Sequence, residues 1–386
     1  MIGVCIRYAH ENYGGMLQAC ATLHLLQARG LPFELIRYRK RFTPLTALAA
    51  LPRLLNGVLL NDKREALAQR LGALTHPAFA ANHAQRMAAF ARFRDARFTA
   101  LSPVFTGYAA LCAGANRYTA VLSGSDQLWS PAGLPTGFYN LRFVPDPVRR
   151  LSYASSFGVA QISWYQRRRT RAFLTRIPFI SMREQRGSAL VRALTGREVP
   201  TLADPVLLLD AAAWAQLIPP APPPCPTPYV LAYFLGRNAA HREAVREAAR
   251  VLGCAVVTLR HLDRYVPGDE HFGDFAPYDV DPADFLNLLR GAAYVCTDSY
   301  HGALFSVIHE KPFVVFDRYA PGARHSKNSR IDTLCESLGL SARRFAGARQ
   351  LAAQLRAPLP MAAVNPRVQA QRAAAHAYLD CALAGL

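Results

Sequence analysis

The sequence predicts two α/β domains, each built on a parallel sheet, with a helical segment after the second. Three observations predict this fold class. A strand, a helix and a second strand follow one another within residues 2–38. The segment 219–228 reads PPAPPPCPTP, which can form neither a helix nor a central strand and is expected to act as a semi-rigid spacer. Strands and helices then alternate again from Tyr229 to Phe316, as they do in proteins with parallel sheets.

The first α/β domain is expected to span residues 1–218. Ile2–Tyr8 is an apolar run typical of a strand, and Met16–Arg29 carries apolar residues at helical spacing until Gly30 ends the helix. Pro32–Tyr38 completes a strand–helix–strand unit of the kind that builds parallel sheets. The remaining elements are a helical and irregular stretch at 39–97, strands at Ala120–Gly124, Leu151–Phe157 and Phe179–Arg183, and a helix at Gln185–Leu194.

The segment 219–228 is predicted to link this domain to a second one at 229–345, which a helical segment at 346–386 follows. Ligands of parallel sheets bind beyond the carboxyl ends of the strands, so the cleft between the domains is the expected site. The second domain is predicted to contain strands at Tyr229–Leu235, Ala255–Leu259, Tyr294–Thr297 and Pro312–Phe316, and helices at His241–Leu252, Asp281–Leu289 and His301–Glu310.

Composition excludes several classes of protein. Of the 386 residues, 51% are hydrophobic and only 18% are charged, so the chain is not intrinsically disordered. The eight cysteines form no Cys-x-x-Cys pair, and we expect neither a metal site nor a cofactor. The sequence shows no secretory signal and no uninterrupted apolar span, which favours a cytoplasmic protein.

The net charge of +19 has three explanations. Residues 37–97 hold 12 basic and three acidic side chains, and the apolar part of this window resembles an interfacial helix on an anionic membrane. Solvated helix faces of an arginine-rich protein explain the charge equally well. Nucleic acid is the least favoured partner because no nucleic-acid-binding motif is present.

Polar residues follow two strands of the first domain. Asn12, Gly14, Gly15 and Gln18 lie at the first strand-to-helix turn, where glycines let a ligand approach the backbone and a helix N-terminus favours an anion. A simple turn explains these glycines at least as well. Further along the chain, SGSDQLW follows the strand at Ala120–Gly124.

That segment contains Asp126 and Trp129. Asp126 is a candidate base or sugar-hydroxyl ligand, and Trp129 is a candidate stacking surface for a sugar ring. The alternative is an aspartate that caps a helix above a core tryptophan.

Arg183 ends another strand of the first domain, and His301 follows a strand of the second. An arginine there suits a carboxylate or phosphate, although an ion pair with Glu184 is the alternative. His301 is predicted to lie in the first turn of a helix, whose positive end favours a neutral imidazole that can take or pass a proton. Lys327 and Arg330 open another helix and add cations to the same domain.

Taken together, these segments resemble the polysaccharide pyruvyl transferase family over residues 1 to about 340. Each motif is short, but their joint order and spacing are specific. The matching residues are Asn12-Tyr13-Gly14 with Leu17-Gln18, Gly124-Ser125-Asp126-Gln127 with Trp129, Tyr153-Ala154 with Ser156-Phe157-Gly158, Arg183-Glu184, Asp204-Pro205, Asp298-Ser299-Tyr300-His301-Gly302, and Asn328-Ser329-Arg330-Ile331.

The resemblance implies a GT-B-like fold, in which two Rossmann-type domains face each other across a cleft. It also implies phosphoenolpyruvate as the donor and a pyruvate ketal on two hydroxyls of one sugar as the product. The acceptor would be a saccharide of a bacterial surface polysaccharide or its lipid-linked precursor. The enzyme would then work in the cytoplasm, with possible docking on the inner face of the membrane through residues 37–97.

By the same resemblance, His301 is the general acid/base and Arg183 holds the donor carboxylate, with Asp126 as the alternative base. Ser299 stands where some members have arginine, so Arg330 or Lys327 is expected to supply that cation. The donor side would comprise Arg183, Ser299, Tyr300, Gly302, Lys327 and Arg330, and the acceptor side Asn12, Gly14, Gly15, Gln18 and Trp129. Two other functions stay open, a glycosyltransferase with a nucleotide-sugar donor and a non-catalytic scaffold that binds saccharides or membranes.

Overall fold

The computed structural model describes residues 1–41, 57–159, 161–223, 225, 228–319 and 328–386. Two parallel sheets organise the chain. The first sheet and its helices comprise β1 (Ile2–Cys5), α1 (Tyr13–Gln27), β2 (Phe33–Arg39), α2 (Gly57–Thr75), α3 (Pro77–Arg97), β3 (Leu101–Thr106), α4 (Tyr108–Gly114), β4 (Ala120–Ser123), β5 (Arg149–Ser155), α5 (Trp164–Thr175), β6 (Phe179–Met182), α6 (Gln185–Thr195), α7 (Pro205–Leu208) and α8 (Ala211–Leu217).

The first sheet has the strand order β3-β2-β1-β4-β5-β6, and every neighbouring pair is parallel. Val4 of β1 lies between Leu35 of β2 and Leu122 of β4 in register. All residues of β1 and β4 are buried, as expected for strands with helices on both faces. This is the order of a Rossmann domain, whose ligands bind where the order reverses, between β1 and β4.

The second sheet has four parallel strands in the order β10-β9-β7-β8, so its order reverses between β7 and β9. Its core is formed by short apolar strands that bury every residue of β7, β9 and β10. The elements are β7 (Tyr229–Tyr233), α9 (Ala239–Leu252), β8 (Ala255–Thr258), α10 (Pro282–Gly291), β9 (Tyr294–Thr297), α11 (Tyr300–Ile308), β10 (Phe313–Val315), α12 (Ser329–Leu338), α13 (Ala348–Arg356) and α14 (Met361–Leu383).

The last helix, α14, connects the two sheets. Near its start, the Arg367 guanidinium lies against Gly339, which follows α12 of the second domain. Near its end, the Tyr378 hydroxyl donates to the Ser152 carbonyl of β5 at 2.8 Å, and Asp380 pairs with Arg29 at 2.9 Å. Two Rossmann-like sheets with a helical C-terminal segment confirm the predicted GT-B-like fold class.

The start of α1 anchors the first domain to the second. Tyr13 stacks on Phe285 of α10 with ring centroids 4.9 Å apart and donates its hydroxyl to the Val280 carbonyl at 3.1 Å. Tyr13 also contacts Phe90 of α3 and Tyr233 of β7. One apolar cluster therefore continues from the first sheet into the second.

Five elements of the first domain were not predicted, namely β3, α4, α5, α7 and α8. β3 contains Pro103 and lies at the edge of the sheet, where a residue without a backbone N–H is tolerated. α5 contains three consecutive arginines and has only four buried residues, so its apolar pattern is weak. The predicted helical stretch at 39–97 is confirmed for α2 and α3, and Pro77 stands at the first position of α3, where its missing N–H costs no hydrogen bond.

Two other predictions fall partly outside the described residues. These are residues 42–56 of the proposed membrane window and residues 224, 226 and 227 of the proposed linker. Some basic residues of that window serve the fold, since Arg86 of α3 donates to the carbonyls of Pro277 and Tyr278. Within the described part of the chain, no helix combines the length and apolar character that a membrane span requires.

Candidate active site between the two sheets

Charged side chains that follow strands of both sheets meet between the domains. Arg7 follows β1, Asp126 follows β4 and Arg183 follows β6, while His301 stands in the first turn of α11 after β9. Arg183 Nη2 lies 3.5 Å from Asp126 Oδ1, and Arg7 Nη1 lies 3.8 Å from Asp126 Oδ2. Three strand ends of the first sheet therefore converge on one carboxylate.

The backbone of Asp126 is held in an unusual conformation. Its φ of 77° lies in the left-handed region, which is unfavourable for a residue other than glycine. The Asp126 carbonyl accepts hydrogen bonds from the backbone N–H groups of Leu128 at 2.8 Å and Ser156 at 3.0 Å, which fix the turn. Backbone strain of this kind is concentrated at functional sites.

The Asp126 carboxylate is ionised. Burial acts to raise its pKa, but the positive charges of Arg7 and Arg183 outweigh burial and hold this pKa below its ordinary value. A carboxylate with a lowered pKa is a weak base. Asp126 therefore suits the binding of a hydroxyl or a cation better than proton abstraction.

Asp204, directly before α7, joins the two domains. Its Oδ2 accepts hydrogen bonds from Arg183 Nη1 at 2.7 Å and Ser125 Oγ at 3.0 Å, and His301 Nε2 lies 3.5 Å away. Its Oδ1 accepts from the Val206 backbone N–H at 3.1 Å and so caps α7. Burial acts to raise the pKa of Asp204, but His301 and Arg183 hold it below its ordinary value. The site thus contains a buried, ionised carboxylate beside its arginine and its histidine.

The ring of Tyr300 lies under an arginine from each domain. Arg183 Cζ is 4.9 Å and Arg330 Cζ is 5.9 Å from the ring centroid. Burial lowers the pKa of Arg330 to about 10, and the charges of Arg183 and Arg318 act in the same direction. Arginines brought this close to one another favour an anion between them.

Several buried polar atoms around Tyr300 make no hydrogen bond to any described residue. Buried polar groups of folded proteins are nearly always hydrogen-bonded, so each such atom needs an explanation. Most of these atoms are cationic donors. The set comprises Arg183 Nε and Nη2, Arg318 Nε, Arg330 Nε, His301 Nε2 and Glu184 Oε2.

Glycine at position 14 allows α1 to approach His301. A Cβ atom on Gly14 would lie 2.2 Å from His301 Cγ and Nδ1, so no other residue fits without a shift. Gly15 has no such restriction, because its Cβ would meet Asn12 Oδ1 at 3.5 Å. Asn12 is the N-cap of α1 and accepts from the Gly15 backbone N–H at 2.9 Å. The predicted turn at Asn12, Gly14 and Gly15 therefore forms part of the wall around His301.

The start of α11 is fixed by its own side chains. Ser299 is the N-cap and accepts from the Gly302 backbone N–H at 3.3 Å. Asp298 accepts from the backbone N–H groups of Leu235 and Gly236, both at 2.7 Å, which ties the end of β9 to the end of β7. Arg318 donates to the Asp298 carbonyl at 3.0 Å. These contacts place the α11 N-terminus, with His301, at the point where the second sheet reverses its order.

Two predicted site residues do not join the cluster. Trp129 is fully buried, packs against Phe157 and Phe173, and donates its indole N–H to the Tyr139 carbonyl, so the prediction that it stacks on a sugar is wrong. Gln18 is also buried and donates to the Thr22 hydroxyl at 2.7 Å, so its side chain is out of reach of a saccharide bound in the cleft. Lys327 lies outside the described residues.

The structure adds residues that were not predicted for the site. Arg7 follows β1 as directly as Asp126 follows β4, so the strand-end criterion could have found it. Asp204 precedes a proline, a pattern that indicates a helix cap, and it does cap α7. Arg318, beyond β10, gave no signal in the sequence. Across the described residues, no three His, Cys, Asp or Glu side chains are grouped as metal ligands would be.

Comparison with known families identifies the chain. A family model described as polysaccharide pyruvyl transferase matches residues 12–319, which include every residue of the cluster except Arg7 and Arg330. The chain belongs to the polysaccharide pyruvyl transferase family. A search of curated proteins finds no match. The cluster between the sheets is thus the candidate active site of a pyruvyl transferase family member.

Solved structures that resemble this pyruvyl transferase family member share little sequence with it. UDP-GlcNAc 2-epimerase from Methanocaldococcus jannaschii has 9% identity and a TM-score of 0.46, with 86% of this chain and 90% of that chain covered. The epimerase from Neisseria meningitidis bound to UDP-GlcNAc has 8% identity and a TM-score of 0.44, with 96% of each chain covered. E. coli heptosyltransferase WaaC with ADP-2-deoxy-2-fluoro heptose has 13% identity and a TM-score of 0.31, with 87% of this chain and 99% of that chain covered. Sequence identities and TM-scores this low carry no information on the substrate.

Proposed function

We propose that this protein transfers the pyruvyl unit of phosphoenolpyruvate to two hydroxyls of one sugar and forms a ketal. The observation that supports this most is the set of buried arginine donors without a hydrogen-bond partner, on Arg183 and Arg330, around Tyr300. Such donors suit a small polyanion that supplies the missing acceptors. Phosphoenolpyruvate carries both a carboxylate and a phosphate, and family membership supports pyruvyl transfer as the reaction.

The donor would lie between the domains. Arg183 would hold the carboxylate through Nε and Nη2, which make no hydrogen bond, because a guanidinium matches a carboxylate with two parallel hydrogen bonds. Arg330 and the N-terminus of α11, with Ser299, Tyr300 and Gly302, would hold the phosphate. Arg330 thereby takes the role of the cation that Ser299 does not supply.

His301 would move the proton. A first sugar hydroxyl adds to C2 of the donor and gives its proton to His301, and the methylene carbon receives a proton from the same imidazole to become a methyl group. The second hydroxyl then displaces phosphate from C2, and its proton leaves with the phosphate. The Asp204 carboxylate, 3.5 Å from Nε2, would stabilise the imidazolium between these steps.

The acceptor would approach from the side of Asp126 and Arg7. These side chains are 18% and 28% exposed, whereas that of Arg183 is completely buried. Asp126 is a weak base because of its arginine neighbours, so we assign it to the binding of a sugar hydroxyl. We further propose that the acceptor is a saccharide of a surface polysaccharide or its lipid-linked precursor, modified on the cytoplasmic side of the membrane.

Thermal unfolding with added ligand tests the donor. Phosphoenolpyruvate at a hundred times its dissociation constant is expected to add roughly 2.7 kcal/mol of stability, and nucleotide-sugars none. Arg330→Gln should abolish the gain, whereas Arg250→Gln, which alters an exposed arginine of α9, should retain it. Stabilisation by a nucleotide-sugar and not by phosphoenolpyruvate would instead show a glycosyltransferase. Stabilisation by neither ligand would contradict both enzymatic functions and favour a saccharide-binding scaffold.

A further inference from the structure

Helix α2 exposes a stripe of leucines. Leu60, Leu67, Leu71 and Leu74 are 42%, 58%, 53% and 80% exposed, although leucine is among the residues most often buried. They are seven, four and three residues apart, which places all four on one face of a helix with 3.6 residues per turn. A contiguous apolar surface of this kind marks an interaction site.

The opposite face of α2 holds the helix to the protein. Glu65 pairs with Arg237 of the second domain at 3.3 Å, and Gln69 bonds to His83 of α3 at 2.8 Å. Gly72 lies so close to Tyr265 that a Cβ would meet its side chain at 2.9 Å. At about 100° per residue, positions 65, 69 and 72 point away from the leucines. The leucine stripe therefore faces outward from a helix that is anchored on its other side.

Cations border the stripe on both sides. Lys63 and Arg70 lie on one side and Arg64 on the other, by the same helical spacing, and all three are exposed. Glu65, which follows Arg64 in the sequence, is turned toward Arg237 and Arg264. An apolar stripe with basic side chains along both edges suits a helix that lies in the interface of an anionic membrane.

We propose that α2 docks this protein on an anionic lipid surface, with the leucine stripe in the headgroup region and Lys63, Arg64 and Arg70 on the lipid phosphates. A second copy of the chain fits this face less well. In a symmetric dimer the same patch meets itself, so the bordering cations would face one another and repel. The inference does not rest on the proposed reaction, because none of these residues belongs to the site around Tyr300.

Co-sedimentation of the full chain with vesicles tests this surface. Binding is expected to phosphatidylcholine vesicles that contain phosphatidylserine and not to phosphatidylcholine alone. Leu67→Ser with Leu71→Ser should lower the partition coefficient by more than about tenfold, because each buried methylene contributes to membrane affinity. Lys63→Gln with Arg64→Gln should lower it by about fivefold for each cation removed.

Two controls match these changes outside α2. Val104→Thr alters an exposed apolar side chain of β3, and Arg167→Gln with Arg168→Gln alters exposed arginines of α5. Both control proteins should bind like the wild type, and thermal unfolding should show that every variant folds. Equal binding by the leucine variant, no binding by the wild type, or loss of binding in the α5 variant would each overturn the proposal. So would a dimer in sedimentation velocity that the leucine substitutions abolish.

Discussion

Gly14→Ala tests whether α1 and His301 are in direct contact across the domain interface. The added Cβ would lie 2.2 Å from His301 Cγ, whereas carbon atoms in contact are about 3.5 Å apart. The helix and the imidazole must therefore separate by about 1.3 Å. Overpacking of this size costs about 1–3 kcal/mol of stability, and a displacement of about 1 Å at a reacting group can lower activity about a hundredfold.

The measurement combines urea unfolding with calorimetric titration of phosphoenolpyruvate. Gly14→Ala should lose stability and bind the donor at least tenfold more weakly, since the site around Tyr300 includes His301. Gly15→Ala is the matched control, because it alters the next residue of the same helix and its Cβ meets only Asn12 Oδ1 at 3.5 Å. That variant should be as stable as the wild type or gain up to about 1 kcal/mol. If both alanine variants gave the same stability and affinity, the contact between Gly14 and His301 would be refuted.

Three further substitutions have expected effects of defined sign. Asp204→Asn leaves buried Arg183 without its carboxylate and should cost about 3–5 kcal/mol at neutral pH. The pKa of Asp204 is lowered by folding, so its stabilisation is present above pH 3.8 and fades below it, as urea unfolding at pH 7 and pH 3 will show. Glu184→Gln should raise the stability of the protein at neutral pH. Burial raises the pKa of Glu184, so its charge destabilises the fold above pH 4.5, and the variant should be more stable than the wild type at pH 7 and not at pH 4. Trp129→Ala should cost about 3–5 kcal/mol, measured by urea unfolding, because it empties a core position.

The fold was predictable because parallel strands are buried on both faces and appear as continuous apolar runs. Ile2–Cys5, Ala120–Ser123 and Tyr229–Tyr233 are such runs, and each predicted strand overlaps the observed one. β3 at Leu101–Thr106 escaped prediction because an edge strand needs less apolar character and tolerates Pro103. Strand order was not predictable, since it depends on contacts between segments that are far apart in the sequence.

The site was partly predictable for a related reason. Polar residues directly after a buried strand lie at the carboxyl edge of the sheet, which correctly brought Asp126, Arg183 and His301 together. The same rule cannot distinguish a side chain that points into the cleft from one that points into the core, and Trp129 turned inward. Asp204 was not predicted, because an aspartate before a proline indicates only a helix cap; in the structure it both caps α7 and accepts a hydrogen bond from Arg183.

The unpaired N–H groups of the site belong to both domains. Arg183 belongs to the first domain and Arg330 to the second, and both lie on the Tyr300 ring. Two buried guanidinium groups with unpaired N–H atoms are unfavourable until an anion supplies acceptors to both. An anion bound there would bridge the two domains and stabilise the contact between them.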